Sequence, residues 1–302
     1  MVEGAPGRSA LAPGLLAGKT VWITGGGTGL GRAMAFRFAT LGARIGISGR
    51  RQEPLEETVT AIRHAGGTAA WAQGDVREPD AVQAVIERLA AELGEIDILV
   101  NNAAGNFLCA SEELTPNAFA AVVGIVLHGT FHCTSAMGRR WIDGQRGGVV
   151  LSITTTYADT GSAFVLPSAC AKAGVNALTR SLAVEWGRHG IRLNAIAPGP
   201  IPTEGAFSRL LPTEELVARR IARIPAGRFG TPEELADLAA FLVSDASDWI
   251  RGEVIAFDGG EWLRGAGQFN DFLDLPQETW DALAGKKGRI KRRKDSGEGG
   301  GA

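Results

Sequence analysis

The chain has 302 residues, 45% hydrophobic and 21% charged, with 42 glycines, 13 prolines and a net charge of −2. A chain of this length buries roughly three quarters of its unfolded surface, so its core needs no covalent staple; three cysteines without a CxxC pair and four scattered histidines (His64, His128, His132, His189) argue against a disulfide framework or any metal site. Seven basic and two acidic residues between Lys286 and Ala302 give that tail +5 and leave −7 on the rest, which argues against a nucleic-acid-binding domain.

Residues 1–18, rich in Gly, Ala and Pro with Arg8 as the one basic residue, read as a flexible arm rather than a signal peptide. Thr20–Thr24 reads as a buried strand, followed by a Gly-rich turn and a helix from about Leu30 to Leu41. Strands at Ala43–Ser48, Thr68–Gln73 and Ile96–Val100 alternate with helices at Pro54–Ala65 and Glu78–Leu93. A helical pair over Thr115–Trp141 leads to a strand at Gly148–Ile153, mostly helix over Ser162–Gly187, and a strand at Arg192–Ile196. A short helix near Thr213–Arg223 and a last strand at Glu253–Phe257 follow. No apolar run is long enough for a membrane span. Strands separated by helices pair in parallel through right-handed crossovers. The fold expected is α/β: a single Rossmann-like, doubly wound parallel sheet with helices on both faces, over residues 19–285. The proline-rich segment 198–228 follows a strand's carboxyl end, where it would cover a ligand crevice. Residues 286–302 read as a disordered basic tail.

The string TGGGTGLG (Thr24–Gly31) lies between a strand and a helix. Backbone without side chains can approach a pyrophosphate closely there, and the helix N-terminus offers free N–H groups and a partial positive charge. At the end of the second strand stand Arg50 and Arg51, with no acid before Glu53. A ribose 2′-hydroxyl wants a carboxylate at this point and a 2′-phosphate wants cations, so NADP(H) is expected over NAD(H).

The glycine spacing, Asn101-Asn102-Ala103-Ala104-Gly105, Asp75, Pro198-Gly199 and Asp258-Gly259-Gly260 together resemble the short-chain dehydrogenase/reductase family over about residues 19–262. That family's Tyr-x-x-x-Lys is broken here: Lys172 is present, but Ser168 occupies the tyrosine position, Thr155 the usual serine position, and no asparagine stands near Val126. The sole tyrosine, Tyr157, lies just past the fifth strand. This departure resembles the NADPH-dependent 2,4-dienoyl-CoA reductase branch, particularly its mitochondrial type, through NNAAGNF (Asn101–Phe107), Ser152–Val175, Ala197–Leu210, Phe257–Trp262 and Gly267–Phe272. The resemblance implies Tyr157, Asn106, Lys172 and Ser168 as catalytic residues. It implies a cofactor site made of Thr24, Gly25, Gly27, Thr28, Gly29, Leu30, Gly31, Arg50, Asp75, Val76, Asn102, Lys172, Pro198, Gly199, Pro200 and Ile201. It implies Arg77, Phe107 and Arg209 on the acyl-CoA side.

Hydride addition at C5 of a conjugated dienoyl thioester places negative charge on the thioester oxygen rather than on an alkoxide. The protein must therefore aim donors at that oxygen, which a Tyr hydroxyl and an Asn amide can do. The product expected is a 3-enoyl thioester, in the β-oxidation of unsaturated fatty acids. A carbonyl reductase of the same family and a non-catalytic NADP(H)-binding sensor remain as alternatives. The family resemblance implies a homo-oligomer, by analogy a tetramer. Without an SKL-type terminus or an Arg-rich presequence, a cytoplasmic location is expected.

Overall fold

The computed structural model describes residues 11–203 and 213–283. Seven strands, β1 (Thr20–Thr24), β2 (Arg44–Gly49), β3 (Thr68–Gln73), β4 (Ile98–Asn101), β5 (Gly148–Ile153), β6 (Ile191–Pro198) and β7 (Val254–Phe257), pair in parallel in the order β3-β2-β1-β4-β5-β6-β7. β1, β4 and most of β5 and β6 are buried along their whole length, because helices cover both faces of a parallel sheet.

One face is covered by α1 (Gly29–Thr40), α2 (Gln52–His64) and a later helix, with Met34, Phe38, Leu55, Ile62, Leu235 and Ala239 in one apolar cluster. The other face is covered by α3 (Pro79–Leu93) and by a continuous helical run: α4 (Pro116–Val123), a π-helical turn (Gly124–His128) and α5 (Gly129–Asp143). Its cluster contains Val82, Ile86, Leu89, Cys133, Met137 and Trp141. The expected doubly wound fold is what the chain adopts.

Several local expectations need correction. Residues 11–18 are no loose arm: Leu16 is fully buried and its N–H donates to Leu41 O at 3.0 Å. The helical pair is one unbroken run, Pro116–Asp143, and by length and apolar composition alone it could cross a membrane. Part of that run, with Val122, Val126, Cys133, Met137 and Trp141, is buried in the core. The helix expected from Ser162 starts at Leu166, as α7 (Leu166–Glu185), and is preceded by a loop and a single unforeseen turn, α6 (Tyr157–Thr160). After α8 (Glu214–Ala222) comes a helix absent from the sequence reading, α9 (Pro232–Val243). Its start carries a full capping box between Thr231 and Glu234, with Pro232 in the first turn.

The described residues fall into two compact units, one up to Glu261 and one from Trp262. At the start of the second, α10 (Glu261–Ala266) brings Arg264 to Asp274 at 2.6 Å, and Phe272 lies between Phe269 and Trp280 before and within α11 (Gln277–Leu283).

Candidate active site

In an open parallel sheet the ligand crevice lies outside the strands' carboxyl ends, where the strand order reverses. Here that point is between β1 and β4. The glycine loop leaves β1 on one side of it, and Asn101–Gly105 leaves β4 on the other. Asn102 joins the two. Its side-chain Nδ2 donates to Thr24 O at 3.0 Å and Gly25 O at 3.2 Å, and its N–H donates to Thr24 Oγ1 at 3.0 Å.

The loop fits a dinucleotide on its own geometry. Gly25 has φ 65°, a left-handed conformation that suits glycine. A Cβ on Gly31 would stand 2.6 Å from Asn102 Nδ2. Thr28 caps α1 without a side-chain hydrogen bond, and the first turn holds no acidic residue, so the helix N-terminus presents its N–H groups to an anion. Gly27 and Leu30 belong to the same turn into α1, and Thr58 Oγ1 holds Gly27 O at 3.2 Å. Residues Pro198, Gly199, Pro200 and Ile201 run on from β6, and Thr203, which the sequence reading did not single out, comes within 3.7 Å of where a Gly29 side chain would begin.

At the adenine-side end, Arg50 is exposed past β2, and its charge helps lower the pKa of Asp75. The main cause of that lowering is Arg77, which grips the Asp75 carboxylate through Nη2 at 2.6 Å and Nε at 3.0 Å. Arg77, expected on the CoA side, is therefore paired with Asp75, a residue expected on the cofactor side. Val76 O is 3.0 Å from His132 Nδ1, which fixes this loop to α5. Arg209 lies outside the described residues. The end of the covering segment is pinned in place: Ala226 N–H donates to Gly259 O at 3.1 Å, and Arg220 on α8 pairs with Glu261 at 2.9 Å.

Three of the four residues expected to be catalytic are joined by hydrogen bonds. Asn106 Nδ2 donates to the Tyr157 hydroxyl at 3.4 Å, and that hydroxyl is 3.1 Å from Ser168 Oγ. Asn106 Oδ1 accepts the Phe107 N–H at 2.9 Å, which fixes the amide so that its NH₂ faces the tyrosine. Cys109 N–H donates to Phe164 O at 2.9 Å, tying the loop that carries Asn106 and half-exposed Phe107 to the loop that leads into Ser168. One turn along α7, Lys172 is buried and donates to Ile153 O. Burial lowers its pKa to about 8.

A family model described as "Enoyl-(Acyl carrier protein) reductase" matches residues 25–261. The chain is 50% identical over 246 residues to a probable 2,4-dienoyl-CoA reductase [(2E)-enoyl-CoA-producing] of Bacillus subtilis, covering 81% of this chain and 97% of that protein. It is 44% identical over 291 residues to a probable 2,4-dienoyl-CoA reductase 3 [(3E)-enoyl-CoA-producing] of Caenorhabditis elegans, covering 93% and 94%. Among solved structures, a short chain dehydrogenase from Bacillus anthracis matches with a TM-score of 0.74 and 46% identity over 81% of this chain and 96% of that one. A gluconate 5-dehydrogenase from Burkholderia cenocepacia, solved in complex with NADP and tartrate, matches with a TM-score of 0.77 and 33% identity over 82% and 96%.

The expected cytoplasmic location is corrected by a further relative, 38% identical over 84% of this chain and 88% of its own length, which is named a peroxisomal 2,4-dienoyl-CoA reductase of Arabidopsis thaliana. Vertebrate relatives carry the same peroxisomal name, so the likeness reaches the branch and not its mitochondrial type alone. The chain belongs to the short-chain dehydrogenase/reductase family, in its dienoyl-CoA reductase branch.

Proposed function

We propose that this chain reduces 2,4-dienoyl-CoA thioesters at C5 and releases the 3-enoyl-CoA, as in the β-oxidation of unsaturated acyl chains. It is an NADP-dependent oxidoreductase of the dienoyl-CoA reductase type, with NADP(H) as cofactor. NADPH, when bound, supplies the hydride. The glycine loop and the α1 N-terminus hold its pyrophosphate, Arg50 faces its 2′-phosphate, and Lys172 holds its nicotinamide ribose.

The observation that carries the reading is the Asn106–Tyr157–Ser168 hydrogen-bonded chain, with serine where a carbonyl reductase of this family keeps its tyrosine. Asn106 Nδ2 and the Ser168 hydroxyl can both donate to the Tyr157 oxygen, which leaves the single phenolic proton to point at the thioester oxygen. Charge developing on that oxygen is then met by preorganised donors, commonly the largest single catalytic contribution. No alkoxide forms, so Tyr157 need not surrender its proton. Carbon protonation of the extended dienolate at C2 gives the 3-enoyl product, and at C4 the 2-enoyl product; the bacterial and nematode relatives are named for one each. Charge density is highest beside the thioester carbon, which favours C2. Phe107 and Arg209 serve the acyl-CoA side, and four copies of the chain assemble as a tetramer, which light scattering on the purified protein tests.

The deciding assay mixes the protein with NADPH and 2,4-hexadienoyl-CoA. Loss of both the NADPH and the diene absorbance, with an NMR-identified 3-enoyl product, is expected. Turnover of ketones alone would make the chain a carbonyl reductase, and cofactor binding without turnover would make it a sensor.

A further inference from the structure

α6 is a single turn of four residues, Tyr157–Thr160, with no side-chain cap at its start. So short a helix has no stability of its own in water. The direction in which Tyr157 points is therefore set by its bond from Asn106 and by what α6 leans on, which is α7. Two side-chain bonds join them. One is Tyr157 Oη to Ser168 Oγ at 3.1 Å, and the other is Asn176 Nδ2 to Asp159 Oδ1 at 3.4 Å. Ser168, Lys172 and Asn176 recur at four-residue intervals along α7 and so share one face.

Asn176 is a costly residue for that place. It is only 1% exposed, and its Oδ1 has no hydrogen-bond partner. A buried lone acceptor opposes folding, and the neighbouring buried positions on α7 are filled by Ala171 and Val175. An apolar side chain would serve the core better. What the amide does accomplish is to grip Asp159, two residues past Tyr157 in the same turn. We propose that Asn176 is a positioning residue for Tyr157, acting through Asp159. This rests on Tyr157 being the donor to the thioester oxygen.

Tyr157 is the only tyrosine in the chain. Uniform 3-fluorotyrosine labelling therefore yields one ¹⁹F resonance that reports the ring without reference to activity. Asn176→Leu and Asp159→Ala are each expected to shift that resonance in the same direction, lower kcat about tenfold or more, and leave the NADPH Kd within about twofold. Asp159→Asn, which keeps an oxygen acceptor, restores both signals. The double variant is no slower than either single one, because the two residues form one link. The thermal midpoint of Asn176→Leu is no lower than that of the wild type.

An unmoved resonance in either single variant, or losses that multiply in the double, overturns the proposal. If Asn176→Leu does not fold, the exposed Asp159→Ala decides alone. A Tyr157→Phe variant run in parallel separates the two readings. A wild-type rate there overturns the role of Tyr157 in the reaction, while the ¹⁹F shift still decides whether Asn176 sets the ring.

Discussion

Tyr157 gains its function from its neighbours. Its hydroxyl is shared between Asn106 at 3.4 Å and Ser168 at 3.1 Å, so both partners orient it before substrate arrives. Tyr157→Phe keeps the ring and removes the donor. Single-turnover kinetics are expected to show a loss of about a hundredfold or more in the hydride step, with NADPH affinity, read by fluorescence titration, unchanged within about twofold. Lys172 is expected to carry the pH dependence. Burial holds its pKa near about 8, below the usual 10.5, so kcat/KM is expected to fall as pH rises through about 8. Linkage gives the matching stability effect. The unfolded chain keeps the proton up to about 10.5, so the fold binds fewer protons between about 8 and 10.5 and gains stability as pH rises across that window. Urea midpoints of the wild type and Lys172→Met, compared across that range, check the sign.

The glycine loop works because two strand ends are clamped by one side chain. Asn102 holds Thr24 O and Gly25 O, and Gly31 must leave room for its Nδ2. Gly31→Ala forces that amide aside. NADPH binding is expected to weaken about tenfold or more, about 1.4 kcal/mol, in an isothermal titration. Residues 11–18, before β1, pack onto the core at the end of α1. Leu16, fully buried against the end of α1, is expected to cost about 2–5 kcal/mol on truncation to Ala, read from denaturant unfolding. The π-helical turn at Gly124–His128 lies within the continuous run between α4 and α5, and the Arg77 stem lies against Gly124 within 3.7 Å of where a side chain would begin. Such bulges often mark functional sites.

The crevice exists only where strand order reverses, between β1 and β4, and a bound dinucleotide touches loops from several strands at once. Ligand binding to the native fold alone must therefore stabilise the whole sheet. At NADPH one hundred times its Kd the gain is about 2.7 kcal/mol, which for a chain of this size raises Tm by about 4 °C. Thermal unfolding with NADPH and with NADH at equal concentration measures both the gain and the preference that Arg50 is expected to impose.

Strand and helix periodicity, the glycine spacing after β1, NNAAG after β4 and the displaced tyrosine were all legible along the chain, because each is a local pattern of residue types. Helix α9 was equally legible in its Thr231–Glu234 capping box but escaped a reading that followed strands. Other features were not legible in principle. The burial of Leu16 and the Asn176 grip on Asp159 depend on which surfaces meet once the chain packs. Composition and spacing determine which chemistry a chain can carry. Distances between residues far apart in sequence, and the desolvation that shifts Lys172, arise only when packing excludes water and brings them together.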